Sequence, residues 1–130
     1  MRILVMGLSG SGKTTLCLKL KVLLKNIIHL NADEVRKSLN DWDFSVNGRL
    51  RQASRLRMLA NDISIDYLID TICPFESTRG LIEPHKIILM NTITSSKYDD
   101  TDRLFTRPIN AFEINTLNYK LDPVIEFIYK

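Results

Sequence analysis

Gly7-Leu8-Ser9-Gly10-Ser11-Gly12-Lys13-Thr14 decides how the rest of the chain is read. The stretch runs glycine, any four residues, Gly-Lys, and a hydroxyl residue. Small residues let successive backbone N–H groups curl around a phosphate, and a following helix presents its positive N-terminus to the same anion. In this arrangement, the P-loop, the lysine neutralises the β- and γ-phosphates and the hydroxyl sits on Mg²⁺. Those residues are Lys13 and Thr14 here. A chance match in a chain of this length is on the order of 1 in 200. The flanks fit as well. Arg2 to Gly7 is a branched apolar run of the kind that forms a buried parallel strand. From Lys13 to Lys25 the period becomes helical, with Leu16, Leu20, Leu23 and Leu24 on one stripe. The chain is expected to bind a nucleoside triphosphate with Mg²⁺.

Outward from the loop, strands and helices alternate. Ile27 to Leu30 reads as a second strand, Asp33 to Leu39 as a brief helix, and Asn40 to Gly48 as a turn-rich loop. Arg49 to Ile63 is the clearest helix, with Leu50, Ala53, Leu56, Leu59, Ala60 and Ile63 on its apolar face. Asp66 to Cys73 gives a third strand stopped by Pro74, Glu76 to Pro84 a turn or short helix, and Lys86 to Asn91 a fourth strand. Residues 94–108 are polar and aperiodic, which predicts a long loop of the sort that serves as a lid. Ala111 to Thr116 suggests a fifth strand, and Asp122-Pro123 is placed to cap and start a last helix. The order predicts an α/β chain with the three-layer P-loop NTPase fold, a parallel sheet of about five strands, and one domain over residues 1–130.

Composition agrees. The 130 residues are 45% hydrophobic and 25% charged, a globular balance with room for one domain. Cys17 and Cys73 form neither a disulfide framework nor a zinc pattern. A reducing, cytoplasmic setting is the default, and no apolar run approaches the ~18 residues of a membrane span. The charge of +3 is unevenly placed. Residues 36–57 hold six Lys/Arg against two acids, a local +4, so the remainder carries −1. One concentrated cationic segment favours a compact anionic substrate over a nucleic-acid footprint.

A GTPase would need a guanine-reading Asn-Lys-x-Asp, which is absent, and large ATPase modules need more chain. A small phosphotransferase remains, and the sequence offers an acceptor side. Asp33 and Arg36 share a helix face just after the second strand, where ligands of open α/β sheets collect. An Asp there can orient an acceptor hydroxyl, take its proton, or hold a water on Mg²⁺. Arg49, Gln52 and Arg55 are spaced by three on the long helix, and arginine forks suit phosphate and sulfate. Phe44 can stack on a base or fold onto the core. Trp42 is expected to pack. Lys97, Arg103 and Arg107 sit on the lid, placed to close over transferring charge. His29 and His85 stand alone, and Cys73 reads as a small buried residue.

These residues together resemble the adenylylsulfate kinase family. The similarity runs through Gly7 to Leu16, through Leu30-Asn31-Ala32-Asp33-Glu34-Val35-Arg36 where the family has Leu-Asp-Gly-Asp-x-x-Arg, and through Phe44-Ser45 with Arg49, Gln52 and Arg55. Cys73-Pro74-Phe75 is similar to the family's Ser-Pro-Phe, and Asp100 to Phe105 to a segment of its short members. Three positions depart from the pattern. Asn31 replaces an Asp, Gln52 replaces an acceptor-binding Asn, and the lid is shorter. The resemblance implies transfer of the ATP γ-phosphate to the 3′-hydroxyl of adenosine 5′-phosphosulfate, hence sulfate assimilation. It places ATP at Gly7, Ser9, Gly10, Ser11, Gly12, Lys13, Thr14, Thr15 and Arg103. Lys13 and Asp33 would act at the reaction centre, with Mg²⁺ on Thr14 and Asp33. The acceptor, a small anionic nucleotide-like molecule, would meet Arg36, Phe44, Arg49, Gln52, Pro74 and Phe75. A homodimer is compatible with the sequence. Other small acceptors, a nucleic-acid end, and a module that binds ATP without transfer stay open.

Overall fold

The computed structural model describes residues 1–130. Five strands, β1 (Arg2–Met6), β2 (Ile27–Asn31), β3 (Asp66–Asp70), β4 (Lys86–Met90) and β5 (Phe112–Ile114), form one sheet in the order β2-β3-β1-β4-β5. Every pairing is parallel, as the sequence predicts. The central strand β1 is apolar and buried from Ile3 to Met6 because both of its faces are covered. Ile3 and Val5 point to one side and Leu4 and Met6 to the other, following the two-residue period of a strand. On the first side, Leu16, Cys17 and Leu20 of α1 (Lys13–Leu23) pack with Val124 and Ile128 of α6 (Leu121–Ile128). On the second, Ala53 and Leu56 of α3 (Val46–Leu59) pack with Ile82 of α4 (Glu76–Ile82). The elements α2 (Ala32–Leu39) and α5 (Asp99–Leu104) complete the chain. The sheet is thus the middle of three layers, with β1 and β3 delivering their C-terminal ends to the P-loop edge. No helix is long and apolar enough to cross a membrane.

Four local expectations need correction. The helix α3 starts three residues early because the Ser45 hydroxyl accepts the Gly48 N–H at 3.1 Å, a serine N-cap. It also ends at Leu59. The Asp62 carboxylate gathers the Ser64 N–H and hydroxyl into a turn, leaving Ile63 96% exposed and off the apolar face. Residues 94–108 are not wholly loop. They contain α5, too short to show a period, with Asp99, Asp100 and Asp102 in its first turn where they favour the helix dipole. Asp122 lies inside the first turn of α6 and does not cap it; Lys120 holds the cap position.

Candidate active site

The P-loop links β1 to α1, and its glycines answer to geometry. A Cβ on Gly7, which has φ +152°, would fall 2.5 Å from the Met90 carbonyl oxygen and 2.7 Å from Ser11 Oγ. Gly12 holds φ +100° immediately before α1, a conformation that costs a residue with a Cβ. Ser11 is fully buried: its N–H donates to Leu8 O at 3.1 Å and its carbonyl accepts from Thr92 Oγ1 at 2.7 Å. Gly7 and Ser11 therefore frame the loop, while Ser9, Gly10, Gly12, Lys13, Thr14 and Thr15 line the cleft that it borders. Lys13 Nζ donates across the loop to Leu8 O at 2.9 Å. Burial lowers the Lys13 pKa, and the negative charges of Asp70 and then Asp33 oppose that.

At the C-terminal end of β3 stands Asp70, 3% exposed, a residue that sequence reasoning passed over. Its Oδ2 accepts from Thr14 Oγ1 at 2.7 Å and from Asn31 Nδ2 at 3.1 Å, and lies 2.9 Å from His29 Nε2 in a third hydrogen bond. His29 therefore does not stand alone. A signal existed: the apolar run Tyr67-Leu68-Ile69 ends in an Asp, the pattern of a strand that carries a magnesium-side carboxylate opposite a P-loop. Asn31, at the end of β2, also caps α2 by accepting the Glu34 N–H at 3.0 Å. It joins the P-loop threonine, Asp70 and the helix bearing Asp33. Thr14 and Asp70 offer hard oxygen atoms, the donor type that suits Mg²⁺, while Asn31 turns its amide nitrogen to them and keeps its oxygen for the α2 cap.

The acceptor-side residues converge on the same cleft of about 370 Å³, which Asp33, Arg36, Phe44, Arg49, Gln52 and Pro74 line together with the P-loop. Arg36 and Arg49 are 4% and 6% exposed. Burial lowers the pKa of each, and nearby Asp41 and Asp100 respectively work against it. The two guanidinium groups flank Phe44, at 4.4 and 5.5 Å from its ring centroid. The ring itself is 46% exposed, so it does not fold into the core. Gln52 spans an internal gap, donating to Ala32 O at 2.9 Å and accepting from Arg55 Nη1 at 2.7 Å. Arg49 also donates to Thr101 Oγ1 of α5 at 3.0 Å.

Other expected residues lie elsewhere. Phe75 occupies the position before α4 and does not line the cleft. The Arg103 side chain is exposed and makes no hydrogen bond or ion pair, and Arg107 pairs with Glu113. None of Lys97, Arg103 and Arg107 lines the cleft. Buried Arg79 anchors residues 94–108 near their end, donating to Cys73 O and to Thr106 O and Oγ1. Trp42 is 50% exposed on the loop before α3 rather than packed. Burial pushes the Cys73 thiol up to about 11, so it stays protonated and inert at neutral pH.

A family model described as adenylylsulphate kinase matches residues 1–91. A cytidine diphosphoramidate kinase of Campylobacter jejuni is 30% identical over 126 residues, which span 92% of this chain and 72% of that protein. Among solved structures, a mutant of the Mycobacterium tuberculosis APS kinase CysC superposes with a TM-score of 0.78 at 22% identity, covering 99% of this chain and 96% of that one. The structure of the same enzyme in complex with AMPPNP and APS gives 0.73 at 22% identity, over 99% and 97%. These superpositions establish the fold.

Proposed function

The chain belongs to the adenylylsulphate kinase family, and on that footing we propose that it moves the γ-phosphate of ATP to a hydroxyl of a small anionic nucleotide. Adenosine 5′-phosphosulfate and its 3′-hydroxyl are the first candidate. One observation carries the reading: a single cleft is lined both by Lys13 and Thr14 of the P-loop and by Asp33, Arg36, Phe44 and Arg49. Phosphoryl transfer is mostly positioning and charge neutralisation, so donor and acceptor must share one cavity.

In this account the P-loop N–H groups, from Ser9 to Thr15, take the ATP phosphates, and Lys13 exchanges its bond to Leu8 O for phosphate oxygens. Mg²⁺ would be held by Thr14 and Asp70, with Asp33 available through water, and would supply neutralisation of the phosphate charge. Asp33 accepts the proton of the acceptor hydroxyl as its oxygen bonds to the γ-phosphorus. The bond from that phosphorus to the β–γ bridging oxygen breaks, and ADP leaves with the electron pair. Arg36 and Arg49 meet the acceptor's anionic groups while Phe44 stacks on its base. Gln52 and Pro74 shape the wall behind it. Phe75 and Arg103 would join only if the α4–α5 edge moves toward the cleft.

A second acceptor of the same class is favoured by the relative that phosphorylates cytidine diphosphoramidate. Gln52 fits that choice. It stands where adenylylsulfate kinases carry an acceptor-binding Asn, and its amide is engaged with Ala32 and Arg55. The roles are tested with Asp33→Asn. Transfer should fall by at least about 100-fold, the scale of a lost general base, with ATP affinity kept. Undiminished transfer would remove Asp33 from the reaction centre, and ATP binding with no transfer in the wild type would make the chain a binding module.

A further inference from the structure

The segment Asn40–Ser45 carries Phe44 and has no secondary structure of its own, yet it is held from three directions. Arg36 Nη1 donates to the carbonyls of Asp41 and Asp43 at 3.0 and 3.1 Å, and Arg49 Nε to the carbonyl of Phe44 at 2.8 Å. The third hold is the Asp41 side chain. Its carboxylate accepts from Arg51 Nε at 3.0 Å, Arg51 Nη2 at 3.1 Å, Arg55 Nη2 at 2.9 Å and the Asp43 N–H at 3.2 Å. Arg55 in turn donates to Gln52, and Gln52 to the carbonyl of Ala32, the residue before Asp33.

We propose that Asp41 is a positioning residue for the acceptor. With Arg51 and Arg55 it fixes the Phe44 loop on α3, and through Gln52 it ties that loop to the turn of α2 bearing Asp33. Asp41 touches no substrate in this scheme and is absent from the cleft lining. Its effect passes through Phe44, Arg36 and Arg49, which two or more elements must present together. A loop of six residues held by charge-assisted hydrogen bonds enters binding already ordered, and preorganisation of this kind shows as affinity for the ligand it contacts. The arginines at 51 and 55 are therefore structural partners of Asp41 and not anion receptors.

This rests on the phosphotransfer reading for its kinetic consequence only. The loop carries the chain's single tryptophan, Trp42, whose emission reports loop order without any substrate. In Asp41→Asn, acrylamide quenching of Trp42 should rise, and the KM for the acceptor should rise about tenfold, the scale of re-ordering one or two side chains on binding. The KM for ATP and kcat should stay put. Arg51→Gln, on the exposed side of the network, should shift the same two readouts less and cannot act by unfolding the core. Unchanged quenching in both variants would overturn the proposal, as would equal loss of affinity for both substrates. If the wild type turned over no acceptor, the phosphotransfer reading would fall, and the quenching arm would still decide whether Asp41 holds the loop.

Discussion

Gly48→Ala sets two physical effects against each other, and the structure says which one wins. Alanine is favoured over glycine inside a helix by about 1 kcal/mol, so α3 taken alone would gain. A Cβ at position 48, however, would fall 2.5 Å from Asp43 Cγ and closer still to the Asp43 carbonyl oxygen. That oxygen belongs to backbone and cannot turn away as a long side chain would. Forcing an extra methyl into such a contact costs about 1–3 kcal/mol. The shift also pulls Asp43 O from Arg36, whose guanidinium is buried, and leaving a bond to a charged donor unmade adds about 1.5–3 kcal/mol. The net expectation is a loss of about 1.5–5 kcal/mol, or roughly 5–25 °C in Tm for a domain of this size. Thermal unfolding followed by circular dichroism measures it. Gly80→Ala is the control: it is also helical and exposed, its Cβ would meet nothing within 4 Å, and it should leave Tm unchanged or slightly raised. An unchanged or higher Tm for Gly48→Ala would refute the steric reasoning.

Two further outcomes follow from the buried and paired carboxylates. Asp70→Asn keeps shape but weakens the oxygen that gathers Thr14, His29 and Asn31. The Mg²⁺ concentration for half-maximal turnover should rise about 10- to 100-fold, and an unchanged Mg²⁺ titration would count against Asp70 as part of the ion's site. Hydrogen bonds from Arg51 and Arg55 hold the Asp41 carboxyl well below the usual carboxylate range. A depressed folded-state pKa gives stability that is complete above the ordinary value near 4 and lost as pH falls through the lower folded one. Trp42 quenching should therefore stay flat from pH 7 to about 4 and rise only in stronger acid, whereas loosening between pH 6 and 5 would contradict the assignment.

What could be read from the sequence was local. The phosphate loop and its flanking strand and helix are contiguous, so spacing and period identify them directly. Asp33, Arg36 and Phe44 lie within 12 residues of one another, and a helix start after a strand suffices to point the first two at a ligand. Asp70 escaped because it meets Thr14 from 56 positions away. Only the parallel pairing of β1 with β3 brings the two together, and period alone does not supply strand order. The basic segment misled for a related reason. Its local +4 suggests free anion receptors, yet Arg51 and Arg55 are occupied by Asp41 and Arg57 by Glu83. The proposed acceptor site rests instead on the burial of Arg36 and Arg49 beside Phe44, and not on the count of charges. The short helix α5 lacks enough residues to show any period, so the stretch around it read as loop.

In the proposed function the P-loop and the Phe44 pocket serve one transfer. ADP release from Mg-ATP, measured with and without adenosine 5′-phosphosulfate, cytidine diphosphoramidate and unmodified nucleotides, tests it most directly. At least one acidic nucleotide should stimulate release strongly, with the phosphate recovered on that acceptor's hydroxyl. Tight ATP binding with no stimulation by any of them would contradict it.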